Sequence, residues 1–393
     1  MTINVTLDRA TVSIDREVFA ALFEQSVVHD YEPIRKALNS GTMPFRELVR
    51  MARQAEIPYP LFFAPRDVVV EQLRMKTEAL MVGFGKKTAF AMNSRNTVRI
   101  HEVELIVKDL LRKQEYLKTD KALPKNPVVN CLKLPGVSAR ADAAKLMGLI
   151  NLSPTDLRNT KNKGDALALL VEKLEAQHVL VAQSAKNYMP QQMPKGARFS
   201  GMTVKDNKVP YIFIASGDEG EKYEPAGRRV FTLALLAVLV ARGTFATVTY
   251  KDHTSDETTF REWEITAELL MPAADFKHAD LSTLDAVRDT SDVFKVTPSA
   301  VVTRARRLNI LGKQEADRYL EELRIAYERG GNPPRRAAKG LKALRKYNGV
   351  ECSRRMLALY DAQGVSRGDF CRVMFSNKFR GAQSINDYRA LVA

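Results

Sequence analysis

Histidine and carboxylate side chains at fixed spacing would be the clearest sign of metal-dependent chemistry in this chain. In an HExxH helix, two imidazoles four residues apart bind zinc, and the adjacent glutamate acts as general base on the metal-bound water. The His101-Glu102 pair has Leu105 where the second histidine would stand. The five histidines are scattered, at His29, His101, His178, His253 and His278. The sequence therefore predicts no zinc site.

The cysteines and the common nucleophile and phosphate-binding motifs give no stronger sign of catalysis. The cysteines, Cys131, Cys352 and Cys371, are odd in number and match no CxxC or Cys/His ligand spacing, so we expect reduced thiols. No GxSxG, P-loop or GxGxxG pattern is present, and the segment 82–87 is too short for a Walker motif. We predict no cofactor and no enzyme activity, with an enzyme of different chemistry left open.

Lysine and arginine are the other residues whose distribution suggests a function. The formal charge is +15, and residues 276–393 hold 23 Lys/Arg against 13 Asp/Glu. A solvated helix face and a nucleic-acid-binding patch explain this excess equally well. For a patch, duplex DNA fits better than a single strand, because Tyr347 is the only interleaved aromatic residue. The predicted phosphate contacts are Arg304, Arg306, Arg307, Arg335, Arg336, Lys339, Lys342, Arg345 and Lys346.

The elements that would position these residues alternate between helices and short strands. Apolar periodicity and capping residues predict a long helix from about Arg228, helices at 139–149 and 163–176, and strands at 178–183, 209–215 and 245–251. This order predicts an α+β fold that is mostly helical and has a small sheet. The apolar run from Val230 to Ala241 is too short to span a bilayer, so we expect a buried core helix and no membrane contact.

Both ends of the chain are predicted to be mainly helical. After a strand-like start, Thr42 is expected to cap a helix that ends near Ile57. A further helix is expected at about 99–116, before a Lys/Pro-rich stretch at 118–127 that we take as a boundary. Near the other end, 285–294 and 297–308 form a helix-turn-helix-like pair, with Thr297 as N-cap and Pro298 at the first helical position.

These boundaries divide the chain into three parts. Residues 1–127 form a helical N-terminal region, residues 128–275 an α+β domain, and residues 276–393 a helical basic C-terminal domain. Residues 1–12 lack the basic start and apolar run of a signal peptide, so we expect a cytoplasmic protein.

Three stretches of the middle domain occur in an order that resembles the ImmA/IrrE family of zinc peptidases. Residues 198–204 with 210–214 are similar to the family's edge-strand segment before its active helix. Residues 227–234 are similar to the run that leads into HExxH, and residues 269–272 to the segment that closes the metal-ligand helix. The resemblance implies a zincin-like fold for this domain. Outside it, residues 44–63 resemble the end of an Xre-type domain and 294–301 the helical module that follows the peptidase.

The positions that correspond to HExxH carry no ligand. They read Leu235-Leu236-Ala237-Val238-Leu239, and the third ligand position falls on Thr259, with Glu257 and Glu262 nearby. Aliphatic side chains neither coordinate zinc nor accept a proton, and they favour a dry core. The resemblance therefore implies a pseudo-peptidase without a metal.

Intact members of this family, as the resemblance implies, recognise and cut helix-turn-helix repressors or toxin–antitoxin partners, often in phages, prophages and other mobile elements. Loss of the metal would remove the cut and leave the recognition. We therefore expect a catalytically inactive regulator that binds a protein partner, a repressor or a toxin, and controls it by occupancy. The alternative is a DNA-binding regulator that acts through the basic C-terminal region. The sequence determines neither the partner nor the oligomeric state.

Overall fold

The computed structural model describes residues 2–24, 26–84, 91–92, 102–192, 199–216, 224–249, 261–330 and 338–393. These residues form a mixed α/β chain in which helices predominate and two small sheets are present. Within those ranges, no helix is long and apolar enough to cross a membrane.

A three-stranded sheet packs against helices at the start of the chain. The elements are β1 (Thr2–Leu7), β2 (Ala10–Asp15), α1 (Arg16–Glu24), α2 (Glu32–Ser40), β3 (Thr42–Pro44), α3 (Phe45–Gln54) and α4 (Arg66–Met81). The strand order is β2-β1-β3. Alternation along the strands places Ile3, Val5 and Ile14 on the buried face. The predicted helix cap at Thr42 is wrong, because Thr42 pairs with Asn4 in the sheet and α3 begins only after Pro44.

A second, five-stranded sheet forms the centre of the chain. Its elements and the neighbouring helices are β4 (Ala91–Met92), α5 (Glu104–Lys118), α6 (Ala139–Leu149), α7 (Pro154–Arg158), α8 (Lys163–Ala176), β5 (Leu180–Gln183), β6 (Phe199–Val204), β7 (Tyr211–Ile214), α9 (Ala226–Arg242), β8 (Thr247–Thr249), α10 (Arg261–Leu270) and α11 (Ala273–Phe276). The predicted helices at 139–149 and 163–176 are confirmed at both ends, and side chains of Ser138 and Asn162 cap their first turns. The predicted core helix is also confirmed, since Val230 to Ala241 is buried almost throughout.

The strand order of this sheet is β4-β8-β6-β7-β5. The resemblance implies an edge strand at 198–204 and 210–214, and the structure differs from it there. Instead β6 pairs with β8 and β7, and β7 pairs with β6 and β5, so both strands lie inside the sheet. A strand paired on both sides has no free backbone groups for an added peptide strand.

The described residues that follow α11 are mainly helical. It contains α12 (Leu284–Val293), α13 (Pro298–Arg307), α14 (Lys313–Arg329), α15 (Gly340–Asn348), α16 (Val350–Asp361), α17 (Arg367–Phe375) and α18 (Ala382–Val392). The predicted cap of α13 is confirmed, because the Thr297 side chain accepts the Ala300 N–H and Pro298 follows it. A helix pair therefore stands at the predicted helix-turn-helix-like position.

In the part of the chain that the structure describes, the buried apolar residues form three cores. One holds the first sheet with α1 to α4, and a second holds α6, α8, α9 and α10 with one face of the central sheet and helices α12 to α14. The third joins α5 and the other face of that sheet to helices α15 to α18. The division at residues 127 and 275 stays a prediction, but the third core brings together residues from all three predicted parts.

Candidate functional site

Helix α9 carries the five positions, 235–239, that the resemblance aligns with HExxH. Leu235, Leu236 and Leu239 are at most 2% exposed, and Ala237 and Val238 between them are also buried. The helix lies directly on the sheet, since a Cβ added to Gly201 of β6 would stand 2.7 Å from Leu236 Cδ1. Packed aliphatic side chains therefore surround this part of α9.

An acidic residue near this helix, Glu262, is engaged in an ion pair. Glu262, in α10, accepts from Arg242 Nε at 3.2 Å. Thr259 and Glu257 lie outside the described residues. In the parts of the chain that the structure describes, no group of three or more His, Cys, Asp or Glu side chains could hold a metal ion.

The histidines that the structure describes lie in separate places. His178 contacts Arg355 of α16, with Nδ1 2.9 Å from Nη2, and Glu351, with Nδ1 3.4 Å from Oε1. His29 Nε2 lies 3.0 Å from Asp30 Oδ2, and His278 is exposed. His101 and His253 are outside the described ranges.

The cysteines do not form an activated thiol. All three are free, and burial raises the pKa of Cys131 and of Cys352 to about 11. Burial also raises the pKa of Cys371. Because the thiolate is the nucleophile and the metal ligand, protonated thiols at neutral pH suit packing and not catalysis.

A polar cluster that the sequence analysis did not identify lies where the central sheet meets the first turn of α9. Ser200 Oγ donates to Glu224 Oε1 at 3.2 Å, and Arg229 Nη2 donates to Gln183 Oε1 at 2.6 Å. Burial raises the pKa of Glu224 to about 7. A carboxyl with this pKa could exchange a proton near neutral pH. Ser200 is 4% exposed and its hydroxyl is held by the Glu224 carboxyl, so this pair is buried between the sheet and α9.

The basic residues of the predicted nucleic-acid patch separate into two groups. The first group lies on α13. Arg304 is 6% exposed, its guanidinium forms an ion pair with Glu268, and its Nε donates to the Met271 carbonyl at 3.2 Å. A guanidinium in this position is not accessible to a phosphate, so the predicted role of Arg304 is not supported. Arg306 pairs with Asp317 at 3.3 Å, while Arg307 is exposed.

The second group lies on and before α15. Lys339, Lys342 and Arg345 are three residues apart and all exposed, which puts them on one side of the helix. Lys346 is partly buried, and Arg335 and Arg336 lie outside the described residues. The opposite side of α15 is buried through Ala343, Leu344, Tyr347 and Asn348. Three of the predicted phosphate-binding residues therefore share one solvent-facing surface.

The buried side of α15 belongs to a polar network. Lys113 of α5 has no exposed side-chain surface and donates to Asp109 at 2.6 Å and to Asn348 Oδ1 at 2.7 Å. Tyr347 donates its hydroxyl to Asp109 at 2.8 Å. Asn348 Nδ2 in turn donates to the Tyr388 hydroxyl at 3.1 Å. This network fixes α15 and α18 on α5 and is sealed from solvent.

Glu175 makes a second link between distant segments. It lies at the end of α8, and its carboxylate accepts the N–H groups of Val350 at 3.2 Å and Glu351 at 3.3 Å, at the start of α16. Burial raises the pKa of Glu175 to about 7 despite these bonds. Gly349, with φ +80°, leaves the room for this contact, because a Cβ there would lie 2.7 Å from the Val181 carbonyl oxygen and against Glu175.

An ordered loop before α6 exposes two large apolar side chains. Leu134 is 84% exposed and Val137 98% exposed. The backbone between them is held, because Gly136 N–H donates to Asp142 Oδ1 at 2.8 Å and Arg261 Nη2 donates to the Gly136 carbonyl at 2.7 Å. Exposed basic residues flank this loop, which we call the Leu134–Val137 loop: Lys133, Arg140 and Lys145.

Comparison with known proteins identifies no relative. No protein-family model, curated protein or solved structure matches the chain. The resemblance to ImmA/IrrE peptidases thus rests on the stretches at 198–214, 227–234 and 269–272 and stays a hypothesis.

Proposed function

We propose that this chain is a catalytically inactive, ImmA/IrrE-like regulator that binds a protein partner, such as a helix-turn-helix repressor or a toxin, and controls it by occupancy. The observation that carries the proposal is the burial of Leu235, Leu236 and Leu239 in α9. A hydrolytic centre needs an open, polar cavity with a metal or an activated nucleophile. Here the corresponding helix surface is packed against the sheet.

The order of elements supports the same proposal. The hairpin β6–β7 precedes α9, α9 packs on the sheet, and α10 follows, in the order that the resemblance implies. Since β6 and β7 are paired on both sides, they offer no edge on which a peptide could be bound for cutting.

The Leu134–Val137 loop is the surface that best fits a partner. Removing large exposed apolar side chains from water is favourable, so a partner that covers Leu134 and Val137 would gain binding free energy. The flanking lysines and arginine favour a partner whose apolar cleft is bordered by acidic residues.

Affinity capture with the full chain from its native host, with nuclease and salt controls, tests the proposal. We expect one stoichiometric protein partner that survives nuclease and stays uncut during incubation. Its capture should be abolished by L134S/V137S and retained with V293S, a matched control because Val293 is 53% exposed on α12. Stoichiometric tightly bound zinc together with peptidase activity that a chelator abolishes would refute the proposal.

A second candidate function is duplex DNA binding through α15, and the shared exposed face of Lys339, Lys342 and Arg345 favours it. If each side chain neutralises one phosphate, replacing all three by glutamine should lower the salt dependence of binding by roughly 0.9 in slope for each phosphate no longer neutralised. Fluorescence anisotropy with duplex DNA would measure this slope. The control replaces the exposed Lys36, Lys161 and Lys313 by glutamine, which changes the net charge equally at three separate places in the chain. Equal slopes for both triple variants would exclude a DNA-binding surface on α15.

A further inference from the structure

The two edges of the N-terminal sheet are built differently. The β3 edge is three residues long and ends in Pro44, which cannot donate to a further strand. The β2 edge is six residues long, Ala10 to Asp15, and contains no proline, lysine or arginine. Natural sheets usually protect a long edge with such residues, because unpaired backbone groups recruit another strand.

The outward groups of β2 follow from the hairpin register. Asp8 and Arg9 form a two-residue turn, and β1 pairs with β2 as Leu7 with Ala10 and Val5 with Val12. The residues that flank a two-residue turn exchange hydrogen bonds, and bonded pairs alternate from there. The N–H and C=O groups of Thr11 and Ser13 therefore point away from β1. Among the described residues, no backbone hydrogen bond to this edge is found.

Val12 is the exposed apolar side chain of this edge. It lies on the same face as the buried Val5, Ile3 and Ile14, but it is 52% exposed. Val5 is its neighbour across the hairpin, on β1. A strand added at the open edge would cover its other side.

We propose that two copies of this chain associate through antiparallel pairing of their β2 strands, centred on Val12. In this register Val12 faces Val12 of the second copy, and each Thr11 faces Ser13 of the other, with hydrogen bonds exchanged in both directions. Arg9, in the turn that directly precedes β2, then lies near Asp15 of the other copy, so opposite charges meet at both ends of the pairing. Both residues are exposed.

Charge complementarity selects a second copy over another partner, because the segment 9–15, which is the turn residue Arg9 followed by β2, carries both members of each ion pair. Shifting the register by one residue would place Arg9 opposite Arg16 and point the bonding groups of one strand away from the other. Opposite-charge cross-strand pairs stabilise a sheet, and directly opposed like charges destabilise it. Only the register centred on Val12 pairs valine with valine and Arg9 with Asp15.

Light scattering of the full chain after size-exclusion chromatography, over a wide concentration range, gives the first test. We expect a species of twice the 44.1 kDa chain mass. V12K should dissociate it, because two lysines would then face each other at the two-fold axis. L7K is the matched control: Leu7 is 53% exposed on the inner strand, and its replacement should leave the dimer intact. A monomer at every concentration, or equal effects of V12K and L7K, would overturn the proposal.

A cysteine crosslink tests the register. Facing residues of a non-hydrogen-bonded antiparallel pair have Cα atoms about 4.5 Å apart, within the range of a disulfide. Under oxidation V12C should give a covalent dimer on a non-reducing gel, while S13C and the unmodified chain should not. A crosslink in S13C and none in V12C would mean a different register and would refute the proposal. T11P removes no hydrogen bond to β1, because the Thr11 N–H points outward, and proline is tolerated on edge strands, so it should raise the dimer dissociation constant by about tenfold or more.

Discussion

Replacing Glu175 by glutamine should change the pH dependence of folding stability. Glu175 is 5% exposed, and burial raises the pKa of its carboxyl from 4.5 to about 7. A carboxyl with a raised pKa in the folded state contributes stability that is complete below pH 4.5 and is lost as the pH rises through 7. The wild-type chain should therefore lose stability across this window, and E175Q should lose less.

The magnitude follows from the two pKa values. With 1.36 kcal/mol per pKa unit, the shift corresponds to about 3.4 kcal/mol, of which about 2.5 kcal/mol is lost between pH 5 and pH 8. Urea unfolding at several pH values in this range would give the free energy of unfolding for both chains. The difference between wild type and E175Q should fall by about 2.5 kcal/mol from pH 5 to pH 8.

A suitable control is E172Q, on the same helix α8 three residues earlier, which should keep the pH dependence of the wild type. If E175Q also kept it in full, the carboxylate of Glu175 would have an ordinary pKa. The contact between Glu175 and the start of α16 would then not be buried as the structure has it.

Three further substitutions test the packing around the candidate site by urea unfolding. G349A should destabilise the chain by about 1–3 kcal/mol or more, because a Cβ with φ +80° meets the Val181 carbonyl oxygen at 2.7 Å, whereas G312A, with open space, should change little. L236A should cost about 2–5 kcal/mol by leaving a cavity between α9 and β6, while the exposed L7A should cost at most about 0.5 kcal/mol. K113M should cost about 3–5 kcal/mol because it leaves Asp109 buried without its cation, and K113M/D109N should recover part of this loss. Equal effects in a variant and its control, or no recovery in the double variant, would contradict the packing described.

At the candidate site, the burial of α9 could be predicted from the sequence, but the pairing of β6 could not. That α9 is a buried helix follows from its own composition, since a run of aliphatic residues without a charge has to leave water. Whether β6 would be an edge strand could not be read in this way. The pairing of β6 with β8 joins residues far apart in the chain, and no local pattern specifies it.

The basic residues also include some whose exposure follows from the sequence and one whose burial does not. The exposed face of α15 follows from helical spacing, because Lys339, Lys342 and Arg345 recur every three residues opposite Leu344 and Tyr347. Arg304 has the same kind of spacing within α13, yet it is buried against Glu268 of α10. The partner of a charged side chain is chosen by tertiary packing, which the sequence of one helix does not contain.

What the sequence by itself determined about this protein is therefore local: helix ends set by Ser138, Asn162 and Thr297, and the apolar character of α9 around Leu235, Leu236 and Leu239. The tertiary structure alone decided which distant groups meet, including Glu175 with the start of α16, Lys113 with Asn348, and the open edge at β2. The physical reason is the distance along the chain over which each interaction acts. Caps and apolar periodicity act within a few residues, whereas ion pairs, buried networks and strand order depend on contacts between segments that only folding brings together.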